Sequence, residues 1–110
     1  MLSIKVGYAD VHVLPMDRTL SLQCDAVGLY SHTNHTIYIR RDHPPAEQAA
    51  TLIHELIHAC WAVFNMTRRK LDEEGVCQAL EGPLATLFRD NPCLPALLHQ
   101  ATANGQPIVS

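Results

Sequence analysis

Apolar and polar positions alternate along the first forty residues, which predicts β-strands rather than helices. Short alternating runs cover residues 2–6 and 10–14. A segment rich in β-branched and aromatic residues, Thr36–Arg40, follows a polar stretch at residues 31–35, and Gly28-Leu29-Tyr30 precedes that stretch. Because turn-forming residues separate these two segments, they are predicted to form a β-hairpin.

From residue 44 onwards, apolar residues recur every three to four positions, which is the period of an α-helix. A first long helix is predicted over residues 44–64, because Pro44 and Pro45 are tolerated in a first helical turn, where their missing N–H groups are not needed. A polar, basic connector follows at residues 65–70. Strands followed by helices predict an α+β fold.

A second helix is predicted to begin at Asp72, whose side chain is a good N-cap, with Leu71 placed to pack on Val76. Its apolar positions continue through Leu80, Leu84, Leu87 and Phe88, and the sequence Asp90-Asn91-Pro92 ends it. A short third helix is predicted over residues 95–103. Because the connector is short, the second helix is expected to pack antiparallel against the first.

The first predicted helix contains the sequence His54-Glu55-Leu56-Ile57-His58, an HExxH motif. Two histidines four residues apart project from one face of a helix, so both imidazoles can bind the same metal ion. Glu55 can then act as a general base on a metal-bound water. The surrounding run, residues 49–64, is otherwise apolar apart from Thr51, and burying such polar groups without partners is costly. The motif is therefore interpreted as a metal site.

A catalytic zinc ion takes three protein ligands and leaves a fourth position open. The longer motif HExxHxxGxxH is absent, because Trp61 and Phe64 occupy the positions of its Gly and its last His. Glu73 or Glu74, at the start of the second helix, can complete a His-His-Glu ligand set. The ligand must point to the face of the second helix that packs on the first, and Val76 is part of the apolar stripe on that face. Glu73 lies three residues before Val76, so helical phase favours Glu73 and leaves Glu74 as the alternative.

The composition is that of an ordinary globular chain, and 110 residues are enough for one domain, residues 1–110. A formal net charge of −3 gives no long-range attraction to nucleic acid or to acidic membranes. The N-terminus lacks a signal-peptide core and no apolar run is long enough to span a bilayer, so a cytoplasmic protein is predicted. The four cysteines include no CxxC pair, as expected for reduced thiols.

With these motifs the chain resembles the small gluzincin-type zinc metallopeptidases of the ImmA/IrrE type that phages and mobile elements encode. The resemblance rests on the hairpin ending in residues 36–39, the helix with residues 54–59, and the acidic helix start Glu73-Glu74 that leads to residues 89–92. It implies a minimal zincin fold, in which a small antiparallel sheet covers the active-site helix and its edge strand lines the cleft.

The motif and the resemblance together predict a zinc-dependent metallopeptidase. The Zn²⁺ ion would be held by His54, His58 and Glu73, or by Glu74 in place of Glu73. Glu55 would be the catalytic residue, which takes a proton from the attacking metal-bound water and passes it to the leaving amine. The candidates for stabilising the oxyanion, which the sequence does not rank, are Tyr38, Tyr30, His35 and His32.

A polypeptide substrate is expected to add as a strand along residues 36–40, interpreted as an edge strand. Neither nucleic acid nor a membrane is expected as a partner, and the oligomeric state is left open. An alternative function is a non-catalytic phage or host protein-interaction module that keeps zinc as a structural or relic ion. In that case Cys60, Cys77 or a loop histidine would supply a fourth ligand.

Overall fold

The computed structural model describes residues 2–66 and 72–110. Within these residues the elements, in chain order, are β1 (Leu2–Val6), β2 (Ala9–Met16), α1 (Arg18–Cys24), β3 (Gly28–Ser31), β4 (Thr36–Arg40), α2 (Pro45–Val63), α3 (Glu73–Asp90) and α4 (Leu94–Ala103). The strands form one sheet in the order β1-β2-β4-β3. The predicted α+β class is confirmed.

The sheet is mixed, so the prediction of a purely antiparallel sheet is wrong. β1 pairs with β2 and β3 pairs with β4 in antiparallel fashion, whereas β2 and β4 are parallel. The cause lies in residues 17–27, where no helix was predicted and where α1 begins after the N-cap Asp17. Because of this connection, β3 does not pair with β2 but lies one strand position further away. The chain then turns back, and β4 occupies the position between β3 and β2, where it runs parallel to β2.

The predicted hairpin is confirmed, but its second arm is not an edge strand. Thr36–Arg40, now β4, pairs with β2 on one side and with β3 on the other. Its backbone groups are therefore used on both sides, and a substrate strand cannot add there. The strand next to the HExxH helix that has an open side is β3.

One face of the sheet packs on α2 and forms the hydrophobic core. The buried side chains of this layer are Ile4, Val6, Val11, Val13, Ile37 and Ile39 from the sheet and Leu52, Leu56, Ala59 and Cys60 from α2. Fully burying one Val, Ile or Leu side chain contributes roughly 1.5–3 kcal/mol. This layer therefore fixes the rotation of α2, and with it the direction in which the HExxH side chains project.

The three predicted helices are present within one residue of their predicted bounds, as α2, α3 and α4. The N-cap of α3 is Asp72, whose Oδ1 accepts a hydrogen bond from the Gly75 N–H at 2.7 Å, as predicted. Leu71, which was predicted to pack on Val76, lies outside the described residues. Among the helices described, none combines the length and the apolarity needed to cross a membrane.

The end of α3 is attached to β1 by the side chain of Asn91. Its Oδ1 accepts a hydrogen bond from the Lys5 N–H at 2.8 Å, and its Nδ2 donates to the Lys5 carbonyl at 2.7 Å. Contacts of α3 with β1 are more extensive than its contacts with α2, and α4 is the helix that packs most on α2. The expected packing of α3 on α2 is present, but it is less extensive than the packing of α3 on β1.

A buried glutamine ties the C-terminal segment to the start of α2. Gln48 is 1% exposed, and its Nε2 donates to the carbonyls of Arg41 and His43 at 3.2 Å each. Its Oε1 accepts hydrogen bonds from the N–H groups of Ile108 and Val109 at 2.8 and 3.1 Å. All the hydrogen-bonding capacity of the amide is used inside the fold, so this side chain ties the start of α2 to the preceding loop and to the C-terminal segment.

Candidate active site

The HExxH residues occupy the middle of α2, as predicted, with the two histidines on the side away from the core. Leu52 and Leu56 bury one side of the helix, whereas the His54 side chain is 68% exposed. The ring centroids of His54 and His58 lie 4.9 Å apart. One helical turn thus presents two imidazoles side by side to the surroundings.

Glu55 differs from the histidines because its side chain is buried, with only 8% exposure. Its Oε2 lies 3.9 Å from Nε2 of His54. A Cβ atom added at Gly28 on β3 would come within 3.2 Å of the same Oε2. The carboxylate is therefore enclosed between α2 and the edge strand, directly beside the first histidine.

A chamber of about 540 Å³, called the first chamber below, opens between β3 and the second half of α2. Its lining residues are Gly28, Leu29, Tyr30, His32, His54, Glu55, His58, Trp61 and Ala62. The three polar side chains of the HExxH motif therefore line one space. A substrate entering this space would meet β3 on one side and the motif on the other.

Two of the four oxyanion candidates, Tyr30 and His32, line the first chamber. The Tyr30 hydroxyl oxygen lies 3.0 Å from Nδ1 of His32, which is hydrogen-bond distance. Burial raises the pKa of the Tyr30 hydroxyl, and the neighbouring Tyr8 and Cys60 raise it further. Tyr30 therefore remains protonated near neutral pH and can donate a hydrogen bond.

The other two candidates, Tyr38 and His35, lie elsewhere. Tyr38 alternates with Ile37 and Ile39, whose side chains face α2, so it lies on the opposite face of the sheet. His35 lies in the turn before β4 with φ of 49°, and its ring contacts those of Tyr8 and His32 at centroid distances of 6.0 and 5.3 Å. Neither residue lines the first chamber.

The motif offers two of the three protein ligands that a catalytic zinc ion needs. His54 and His58 supply two neighbouring nitrogen donors, the ligand type that zinc prefers together with carboxylate and thiolate. Across residues 2–66 and 72–110, however, no three His, Cys, Asp or Glu side chains are gathered in an arrangement that could hold a metal ion. The identity of the third ligand therefore stays a prediction.

Both glutamates proposed as third ligand are exposed in the first turn of α3. Oε1 of Glu74 accepts a hydrogen bond from Nε2 of Gln78 at 3.3 Å, on the side of the helix that faces solvent. Of the apolar stripe used to choose between them, Leu80, Leu84 and Leu87 join the core, but the core cluster does not include Val76, from which Glu73 was counted. Neither glutamate lines the first chamber.

The cysteines give little support to a closed structural zinc site. Cys60 is fully buried in the hydrophobic core, and burial raises the pKa of its thiol, which disfavours the thiolate that a metal would bind. Cys77 lies on the exposed side of α3. A loop histidine, His32, does reach the first chamber.

The sequence interpretation missed the part played by Gly28. A side chain there would overlap Cγ2 of Thr51 and crowd Glu55, so glycine is what allows β3 to approach α2 closely. The sequence shows a glycine at this position, but which side chain lies opposite it depends on the packing of β3 on α2, which the sequence does not give. Trp61 was considered only as a departure from a longer motif, although it lines the chamber.

The small α+β fold, with a mixed sheet and four helices in the described residues, fits a zincin-like domain. The family model described as the IrrE N-terminal-like domain, peptidase family M78, matches residues 7–78, well over half of the chain. The chain belongs to this family, which indicates a metallopeptidase-like domain, is associated with zinc in general and includes regulatory members. Neither the curated proteins nor the solved structures gave a match.

Proposed function

We propose that this protein is a zinc-dependent peptidase that hydrolyses peptide bonds of extended polypeptides. The observation that carries the proposal is the position of Glu55, whose carboxylate is enclosed beside His54 at the bottom of an open chamber. A buried carboxylate with no such task would be an expensive feature of a small domain. Membership of the IrrE N-terminal-like family supports the same activity.

His54 and His58 would each hold the metal through one ring nitrogen, with Glu73 as the third ligand and Glu74 as the alternative. A zinc ion bound there would lower the pKa of a water and polarise the substrate carbonyl. Glu55 would take the proton from the attacking water and return it to the leaving amine. Because its side chain is buried between α2 and β3, the carboxylate is restricted to orientations that face this space.

The substrate backbone would pair with the open side of β3. The Arg40 N–H donates to the Val27 carbonyl at 3.0 Å, so in this antiparallel pair the backbone groups of Gly28 and Tyr30 point away from β4. In the described part of the chain no strand occupies that side. An extended peptide added there would run directly past Glu55, as in other cases of strand addition.

Tyr30 is the best placed of the candidates to stabilise the oxyanion. In the tautomer that carries its proton on Nδ1, His32 would donate to the Tyr30 oxygen and orient it. The Tyr30 O–H would then remain available to donate to the developing negative charge in the chamber. His32 would be a positioning residue in this arrangement.

The proposal is tested by the isosteric variant Glu55→Gln, with unfolded casein as substrate and purified zinc-loaded protein. Cleavage should fall by about 10²–10⁴-fold, the usual contribution of a general base. The zinc content should remain that of the wild type, because Glu55 is not a ligand. Glu81→Gln, on the exposed side of α3, is the matched control and should cleave normally. A Glu55→Gln protein that cleaves at the wild-type rate would refute the mechanism.

A further inference from the structure

The sheet has a second edge at β1, at the end of the strand order opposite to β3. The carboxamide of Asn91 occupies one position on this edge, where it binds both the N–H and the carbonyl of Lys5. An opposing residue of an antiparallel strand would make the same two hydrogen bonds. The Asn91 side chain therefore takes the place of one residue of a neighbouring strand.

The next outward position on this edge is Ser3. Because the direction of backbone groups alternates along a strand, the N–H and carbonyl of Ser3 point to the same side as those of Lys5, away from β2. Among the residues that the structure describes, none forms a hydrogen bond with these two groups. Open strand edges can pair with another chain, and proteins usually block them. The edge of β1 is thus blocked at Lys5 and open at Ser3.

An apolar groove of about 550 Å³, called the β1 groove below, lies beside this open position. It is bordered by β1, the α3–α4 connection and α4, and its apolar lining includes Leu2, Ile4, Leu94, Ala96 and Leu97. Ile4 and Leu94 belong to the hydrophobic core, and Leu2 and Leu97 pack against it while remaining partly exposed. The core is therefore incompletely covered here, and an apolar side chain bound in the groove would gain free energy by covering it.

The open edge and the groove fit one kind of occupant. A strand added beside Ser3 would place alternate side chains on the two faces of the sheet. The Ile4 side chain faces the helices, so every second side chain of the added strand would enter the β1 groove. Among the described residues that line the groove, the one charged side chain is that of Asp90, so an acidic side chain would find no partner of opposite charge there.

We propose that the β1 groove binds an extended segment of another protein by strand addition. The backbone of the segment pairs with Ser3, and a bulky apolar side chain packs on Leu2 and Leu97. A second copy of this chain fits the edge less well, because a second β1 paired along it would need the place opposite Lys5 that Asn91 holds. This site lies at the other edge of the sheet from the HExxH motif and does not depend on the proposed peptidase activity.

The test measures peptide binding by fluorescence anisotropy, with the Glu55→Gln variant so that no peptide is consumed. The probes are short fluorescent peptides in which Thr alternates with one guest residue, which is Leu, Phe, Ser or Glu. The Leu and Phe peptides should bind at least about tenfold more tightly than the Ser and Glu peptides, because only their guest side chains gain from apolar burial. Equal binding of all four would contradict the proposal.

Two variants assign the binding to β1 rather than to β3. Ser3→Pro removes the N–H that faces the open side and leaves the pairing with β2 intact, and Ala96→Phe fills the groove. Each should weaken binding of the Leu peptide by about tenfold or more. Ala103→Phe, also exposed on α4 but outside the groove, is the matched control and should bind as the parent. Retained binding by either variant, once circular dichroism shows that it is folded, would overturn the proposal.

Backbone pairing is also tested without changing the protein. Alternate residues of an added strand point their N–H groups to opposite sides. Methylation of the backbone nitrogens of either the Thr set or the Leu set, but not of both sets equally, should therefore weaken binding. Equal effects of the two patterns would exclude strand addition.

Sedimentation velocity of the wild type tests the other occupant. We expect no self-association that depends on Ser3. A dimer that Ser3→Pro converts to a monomer would show that the edge pairs with a second copy of this chain, and would overturn the proposal.

Discussion

At the scale of single residues, the site depends on different environments for neighbouring side chains on one helix. Glu55 is buried against β3 while His54, adjacent in sequence, is 68% exposed. Successive residues on a helix point about 100° apart, so a helix lying at the side of a cleft can bury one side chain and expose the next. The same geometry keeps His58 next to His54.

The role of Tyr30 gives a prediction for one hydroxyl group. Tyr30→Phe keeps the packing of the ring and removes the proposed hydrogen bond to the oxyanion. The kcat for casein cleavage should fall by about 10²–10³-fold, the usual cost of removing one oxyanion-stabilising donor, while KM changes little. Steady-state kinetics measures both quantities.

Tyr38→Phe is the control for that experiment, because Tyr38 lies on the face of the sheet away from α2. It should leave kcat unchanged. An unchanged kcat in Tyr30→Phe, or an equal loss in both variants, would exclude Tyr30 as the stabilising group.

At the scale of elements, the sequence predicted correctly those features that depend on residues close together in the chain. The spacing of apolar residues predicted the helix α2, and the five residues of the HExxH motif lie within it. The N-cap of α3 was predicted because the carboxylate of Asp72 can accept a hydrogen bond from a backbone N–H of the first turn. The helix α1 was missed because it has seven residues and buries only Ser21, so it has no apolar stripe to detect.

Sheet order could not be predicted in this way, because it depends on contacts between residues far apart in sequence. The hairpin of β3 and β4 was correctly predicted, yet nothing in residues 28–40 shows which arm lies next to β2. The prediction that residues 36–40 form the edge strand was wrong, and it placed the expected substrate-binding strand on β4 instead of β3. Alternation places Tyr30 and Ile37 on one face, but only the position of α2 shows that this face belongs to the cleft.

The prediction at this scale concerns α3 and asks which of its first two residues, Glu73 or Glu74, binds the metal. Helical phase places Glu73 beside the stripe that joins the core, and the Glu74 side chain pairs instead with Gln78. Glu73→Ala should therefore lose stoichiometric zinc and Glu74→Ala should keep it. Zinc per protein molecule, measured by plasma mass spectrometry after dialysis, distinguishes the two, with His54→Ala as the metal-free reference. Loss of zinc in Glu74→Ala alone would reverse the assignment.

At the scale of the whole molecule, the described chain is one four-stranded sheet with helices packed on it, and two amide side chains tie segments that are far apart in sequence. Gln48 holds the C-terminal segment to the start of α2, and Asn91 holds the end of α3 to β1. The open side of β3 is left beside the HExxH motif. The fold thus leaves an accessible cleft beside the motif, as the proposed hydrolysis of an extended chain requires.

Metal dependence of cleavage is the most direct test of the central claim. Unfolded casein is incubated with purified protein, with protein stripped of metal by a chelator, and with stripped protein to which one equivalent of zinc is returned. New α-amino groups are counted, and Glu55→Gln from the same purification serves as the background. Cleavage should disappear on stripping and return with zinc, because a zinc ion held by His54 and His58 would supply the activated water in the proposed mechanism. Cleavage that persists after stripping, or that never exceeds the Glu55→Gln background, would contradict a zinc peptidase.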